Sequence, residues 1–170
     1  MTGESKQLLK VADEVWIATA LLHRENPQSE DFSVEEIARR AEREALAGGL
    51  RASFHMHVAQ HCVANRPPHP ARHRMLFETG SGRRRLFRKG DPHHPARKVG
   101  KITPDPLEMP YGYGVLLTWY RIWSAAPPPR PPLHDHPLLA LQRSGKQLRR
   151  RKQTRKSSTR SSAAPRGATI

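Results

Sequence analysis

Between Val15 and Leu22 the chain reads Val-Trp-Ile-Ala-Thr-Ala-Leu-Leu, an almost wholly apolar run uninterrupted by glycine or proline. With Leu8, Leu9, Val11 and Ala12 leading into it, the run is too long for an ordinary strand and predicts a helix over about Lys6 to Glu25. Trp16, Ile17, Ala20, Leu21 and Leu22 point in several directions around such a helix, so it must be covered on more than one side. Something beyond a bare three-helix core has to pack on it. Pro27, within the loop Asn26 to Asp31, ends the element.

The next helix announces its own start. Ser33 can cap the backbone N–H of Glu36 while the Glu36 carboxylate reaches back to the Ser33 N–H, and Phe32 can pack on Ile37 as a hydrophobic staple. Glu35 and Glu36 complement the positive helix terminus. Ile37, Ala38, Ala41, Ala45 and Leu46 make a modest apolar stripe that runs to Gly48 and Gly49. A third helix is expected from about Ser53 to Ala64, giving a tight helix-turn-helix pair. Its core face is read as Phe54, Val58, His61 and Cys62. Ser53, His57, Gln60 and Ala64 lie on another side, short and polar as a groove-facing helix needs.

Asn65 to His73, with Pro67, Pro68 and Pro70, reads as a loop. Met75 to Thr79 and Arg84 to Arg88, separated by Gly80, Ser81 and Gly82, read as a β-hairpin. Helix, helix, helix, hairpin is the order of a winged helix. The expected fold is therefore mainly α with a small β-hairpin, a winged helix-turn-helix over residues 6–90. Strand alternation places Arg83 and Arg85 opposite Arg84 and Arg88, so both faces of the hairpin are expected to meet phosphate. Residues 91–124 form an irregular, proline-punctuated segment followed by a helix from about Tyr113 to Trp123. Its Leu116, Leu117, Trp119, Tyr120 and Trp123 carry too much apolar surface to leave in water. Packing against the first helix is the economical solution, with a dimer interface as the alternative. Residues 125–170 hold the cluster Pro127 to Pro132 and a Lys/Arg/Ser-rich tail from Arg143 to Arg166, and are expected to be a linker and a disordered basic tail.

Charge narrows the function. The chain carries a formal net charge of +15, concentrated in two blocks: residues 1–50 hold 6 Lys+Arg against 10 Asp+Glu, residues 51–100 hold 11 against 2, and residues 125–170 hold 11 against 1. Concentrated positive charge favours a polyanion, because each phosphate neutralised releases counterions. Nucleic acid is the expected partner, ahead of a merely solubilising basic surface. An anionic membrane is a weaker rival, since no run of about 18 apolar residues exists. The N-terminus lacks the pattern of a secretory signal, which places the chain in the cytosol. The single cysteine, Cys62, excludes an internal disulfide framework.

Four stretches carry a resemblance: Val15 to Leu22, Phe32 to Ile37, His61-Cys62-Val63-Ala64-Asn65, and Arg84-Arg85-Leu86-Phe87. On these, residues from about Asp13 to Trp123 resemble an uncharacterised bacterial winged helix-turn-helix domain family related to the HARE type, associated with restriction systems. The resemblance implies DNA binding by association and brings no catalytic motif.

Other chemistries find little support. His57 and His61 lie about 40° apart on a helix and could supply two zinc ligands, but a third would have to come from His93 or His94. Cys62 falls on the core face, about 100° from the adjacent His61, and reads as a packed thiol rather than a nucleophile. After Glu44 only Glu78, Asp91, Asp105, Glu108 and Asp135 remain, with no acidic cluster for a nuclease metal. The turn Gly80 to Arg83 is too short for a phosphate loop.

The expectation is thus a non-enzymatic, DNA-directed binding protein without cofactor or metal, in which Arg51, Ser53, His57 and Gln60 face the groove. Arg83, Arg84, Arg85, Arg88 and Lys89 are assigned to phosphate. RNA is a variant of the same class. The alternative is an adaptor for a restriction-type or toxin-type protein, docking through helix one and Trp119, Tyr120 and Trp123.

Overall fold

A computed structural model describes residues 9–127. The expectations for the proline-rich linker and basic tail, and for the helix start near Lys6, fall largely or wholly outside these residues.

Helix α1, Val11–Glu25, is buried continuously from Ala12 to Ala20, which is what its apolar run demands. It packs on α2, Val34–Glu44, and on a short third helix, and the final helix α4, Val115–Ala125, also lies against it. The edge of Tyr120 meets the Trp16 ring at 5.5 Å between centroids, and Trp123 lies 4.6 Å from the His23 ring. The described residues belong to one compact unit.

The capping box at α2 is complete: Glu36 N donates to Ser33 Oγ at 3.1 Å and Ser33 N donates to Glu36 Oε2 at 2.7 Å. Phe32 and Ile37 are both buried in the core. The helix stops earlier than its apolar pattern suggests, at Glu44, with Ala45 in the left-handed region at φ 52°. Arg40 donates to Glu25 and Glu44, Tyr113 donates to Glu44, and the chain turns so that Leu46 and Leu50 pack against the core. Side-chain anchoring offsets the cost of a left-handed alanine, about 1–2 kcal/mol.

The third helix also departs from expectation. It comprises an α turn, Phe54–Met56, continued by a π turn, His57–His61, closed by Cys62 N on His57 O at 3.0 Å. We call the two together α3. Phe54, Val58 and Cys62 are fully buried as predicted, but Ala64, assigned to the polar side, is buried too. The chain has already left the helix there, with Val63 bridging Leu76 and Ala64 N donating to Leu76 O at 2.7 Å.

Strands β2, Leu76–Gly80, and β3, Arg83–Leu86, form the hairpin, and a two-residue strand β1, Phe32–Ser33, adds to the far side of β3. The order β1-β3-β2 is antiparallel throughout, with Leu76 opposite Leu86, Glu78 opposite Arg84 and Phe77 opposite Arg85. The result is a mainly helical fold with a small three-stranded sheet, compatible with a winged helix. Among the described residues no helix is long and apolar enough to cross a membrane.

Candidate nucleic-acid interface

The last carbonyls of a helix have no partner within it and must find donors elsewhere. At the buried end of α3 two arginines supply them. Arg84 Nε and Nη2 donate to Val58 O and Ala59 O at 3.3 and 3.2 Å, and Arg97 Nη2 and Nη1 donate to Gln60 O and His61 O at 2.9 and 2.8 Å. Arg97 also gathers Arg66 O, Pro67 O and His73 O, and has no ion-pair partner among the described residues. Its charge sits at the negative pole of the helix, where a cation is favoured.

The hairpin arginines do not form the phosphate clamp that their sequence suggests. Arg84 is 2% exposed, on the core face of the sheet, and its remaining contacts go to Glu78 and the Arg83 carbonyl. Arg85 makes a bidentate pair with Asp91 at 2.6 and 2.7 Å and lies 4.5 Å from the Phe77 ring. Arg88 is buried, 4.1 Å over the Trp123 ring, donating to Trp123 O and Ala126 O. Arg83 is half-exposed but bound to Asp31, leaving Lys89 as the exposed hairpin cation with no ion pair among the described residues. Arg51 is likewise committed, to Glu14 at 2.6 Å and Leu9 O at 2.7 Å. The physical reason is common to all five arginines: each lies beside a carboxylate, or beside the end of a helix that needs donors.

The exposed side of α3 is different. Ser53 is exposed, and His57 and Gln60 are half-buried. The Gln60 amide is held by Pro67 O at 2.9 Å, so it steadies the following loop. His57 Nδ1 lies 2.9 Å from Ser53 O. A carbonyl can only accept, so Nδ1 carries the hydrogen and Nε2 is the free nitrogen. His61 packs edge-on to His57 at 4.6 Å, and His69 and His73 come within electrostatic reach from the loop. Burial, then His57, His69 and Arg97, pull the His61 pKa down. Burial and the Lys101 charge do the same at His73.

No aspartate or glutamate occurs between Glu44 and Glu78. Of the carboxylates that reach this stretch, Glu78 is paired with Arg66 and Arg84, and from α1 Glu14 is bound to Arg51 while Asp13 is fully buried with Lys101 Nζ 2.8 Å from its Oδ1 but outside hydrogen-bond geometry. Gly100 brings the Lys101 segment against the loop, since a methyl group there would stand 1.7 Å from Arg72 O. Arg72 and Lys98 are exposed and have no ion pair among the described residues. The part played by Arg72, His73, Lys98 and Arg97 is not evident from local pattern, because they lie in segments without periodicity. The long acid-free stretch was the available signal.

Among the described residues no three His, Cys, Asp or Glu side chains are grouped to hold a metal. Cys62 is buried and its thiol is pushed up to about 12 by burial. Helix one is buried from Ala12 to Ala20, as is Tyr120, while Val11, Leu21, Trp119 and Trp123 are partly exposed. Compared with protein-family models, curated proteins and solved structures, the chain matches none.

Proposed function

We propose that this protein binds nucleic acid, double-stranded DNA before RNA, as a winged helix that presents the exposed side of α3 and its following loop. The observation that carries the reading is the acid-free stretch from Ala45 to Phe77, which folds into that helix and loop and holds Arg72, His55, His57, His61, His69 and His73. Lys89 on the hairpin and Lys98 beside the loop add charge with no carboxylate in contact among the described residues. The hairpin arginines support the fold that displays this surface. Ser53, His57 and Gln60 remain the groove-facing candidates, and Arg72, Lys89 and Lys98 take the phosphate role. The basic tail adds affinity that does not depend on sequence.

The test is titration of a DNA duplex and an RNA duplex across a salt series, with the full chain and an Arg72→Ala/Lys89→Ala/Lys98→Ala variant. Each lost phosphate contact lowers the salt slope by about one unit. Binding that ignores salt overturns the reading and favours a protein partner instead.

A further inference from the structure

The nitrogen that His57 leaves without a hydrogen bond is the wrong kind for a phosphate. Its Nδ1 hydrogen is spent on Ser53 O, so in the neutral ring Nε2 offers a lone pair. A phosphate oxygen also offers a lone pair, and the two repel. Only when Nε2 takes a proton does the ring become a donor and a cation, able to make a charge-assisted hydrogen bond.

The surroundings bear on the same choice. His57 and His61 face each other on α3 at 4.6 Å between ring centroids. The loop contributes His69 and His73, the turn at Pro95–Arg97 contributes Arg97, and the following segment contributes Lys101. From α1 the facing charge is Asp13, already beside Lys101. Free of ligand, burial and the neighbouring positive charges disfavour a proton on His61 and on His73. An incoming polyanion reverses the sign of the field and draws protons onto the rings.

Resting on the nucleic-acid reading above, we propose that the imidazoles of His57 and His61, with His69 and His73 beside them, form a proton-coupled phosphate site, so that nucleic acid binds together with protons. With the His57 and His61 ring centroids 4.6 Å apart, positive charge on both rings is unfavourable unless a phosphate lies against them to offset the repulsion. In balance, any proton taken up on binding comes from solvent and returns to it on release, with no bond formed or broken beyond N–H.

The experiment measures duplex DNA affinity of the full chain between about pH 8 and about pH 6 at constant ionic strength, for the native protein and for His57→Gln/His61→Gln. The expected native result is an affinity that rises as pH falls, approaching tenfold per pH unit for each proton coupled, with the rise reduced in the variant. Calorimetric titration of the native protein in two buffers of different ionisation enthalpy should give net proton uptake, a readout that does not depend on the variant folding. Salt-sensitive binding with no proton uptake, or a pH dependence equal in both proteins, overturns this inference while leaving the nucleic-acid reading intact. Absence of duplex binding at every pH overturns that reading, and this one with it.

Discussion

Arg84 and Arg97, one on a strand and one in a short turn, divide the last four carbonyls of α3 between them: Val58 and Ala59 go to Arg84, Gln60 and His61 to Arg97. Neither residue touches the other's carbonyls. Together they let a helix of barely two turns end inside the protein without leaving acceptors bare, a condition that buried backbone must meet.

Removing either donor should therefore act on stability. Arg97→Met leaves several buried carbonyls unpaired and should cost about 3 kcal/mol, given about 1–3 kcal/mol for each unsatisfied buried group and some relief by water. Arg84→Met should cost less, because Glu78 keeps its bidentate partner Arg66 at 2.6 and 2.7 Å. Urea denaturation would show this order. Equal midpoints for both variants and the native chain would mean that water serves the helix end as well.

Gly100 should tolerate no side chain. A Cβ would fall 1.7 Å from Arg72 O, a backbone atom that cannot swing aside. Gly100→Ala should force apart the loop carrying His69 to Arg74 and the segment carrying Lys101, breaking Arg74 N on Lys101 O at 2.9 Å. A loss of about 2 kcal/mol is expected, in the range of other overpacking changes. Amide exchange at Arg74 measures the local opening directly; unchanged protection there would count against the close approach.

Arg88 distinguishes a structural arginine from a phosphate contact. Its guanidinium covers Trp123 and donates to the carbonyls of Trp123 and Ala126 at the end of α4. Arg88→Leu should loosen that end, shift tryptophan fluorescence to the red and lower stability by about 1–3 kcal/mol. The salt slope of DNA binding should not change while the variant is folded. A slope lower by about one unit would return Arg88 to the phosphate surface.

The parts of the fold that local chemistry encodes were legible in the sequence. Ser33 and Glu36 can form a capping box whatever surrounds them, and Val15 to Leu22 must be buried in any fold. Gly80 to Gly82 turns the hairpin from its own composition, although β1 escaped because two residues show no alternation. The site was harder to read, for a different reason. Whether Arg84 meets a phosphate or a helix end depends on what lies across the sheet, and Glu78 opposite it is set by register rather than by neighbours in sequence. The π turn was equally hidden. It ends the helix at His61, so that Ala64 joins Leu76 instead of a helix face, and no residue from His57 to His61 signals it.

His23 should make the fold sensitive to acid. Its ring is buried between Phe32 and Trp123, and its Nε2 accepts the Leu86 N–H at 3.3 Å, which requires the neutral form. Burial, then the charges of Arg88 and Arg85, lower its pKa from 6.5 to about 3. The unfolded chain therefore binds a proton below about pH 6.5 that the folded chain refuses until near pH 3. This contribution to stability is complete above the unfolded value and declines as pH falls, by at most about 1.4 kcal/mol per pH unit. His61 and His73, also lowered, add in the same direction. His23→Gln keeps an acceptor for Leu86 without a titrating ring, so its urea midpoint should fall less steeply between about pH 7 and pH 5 than that of the native protein. Parallel curves would show that His23 is protonated in the folded state, and that the Leu86 N–H finds its acceptor elsewhere.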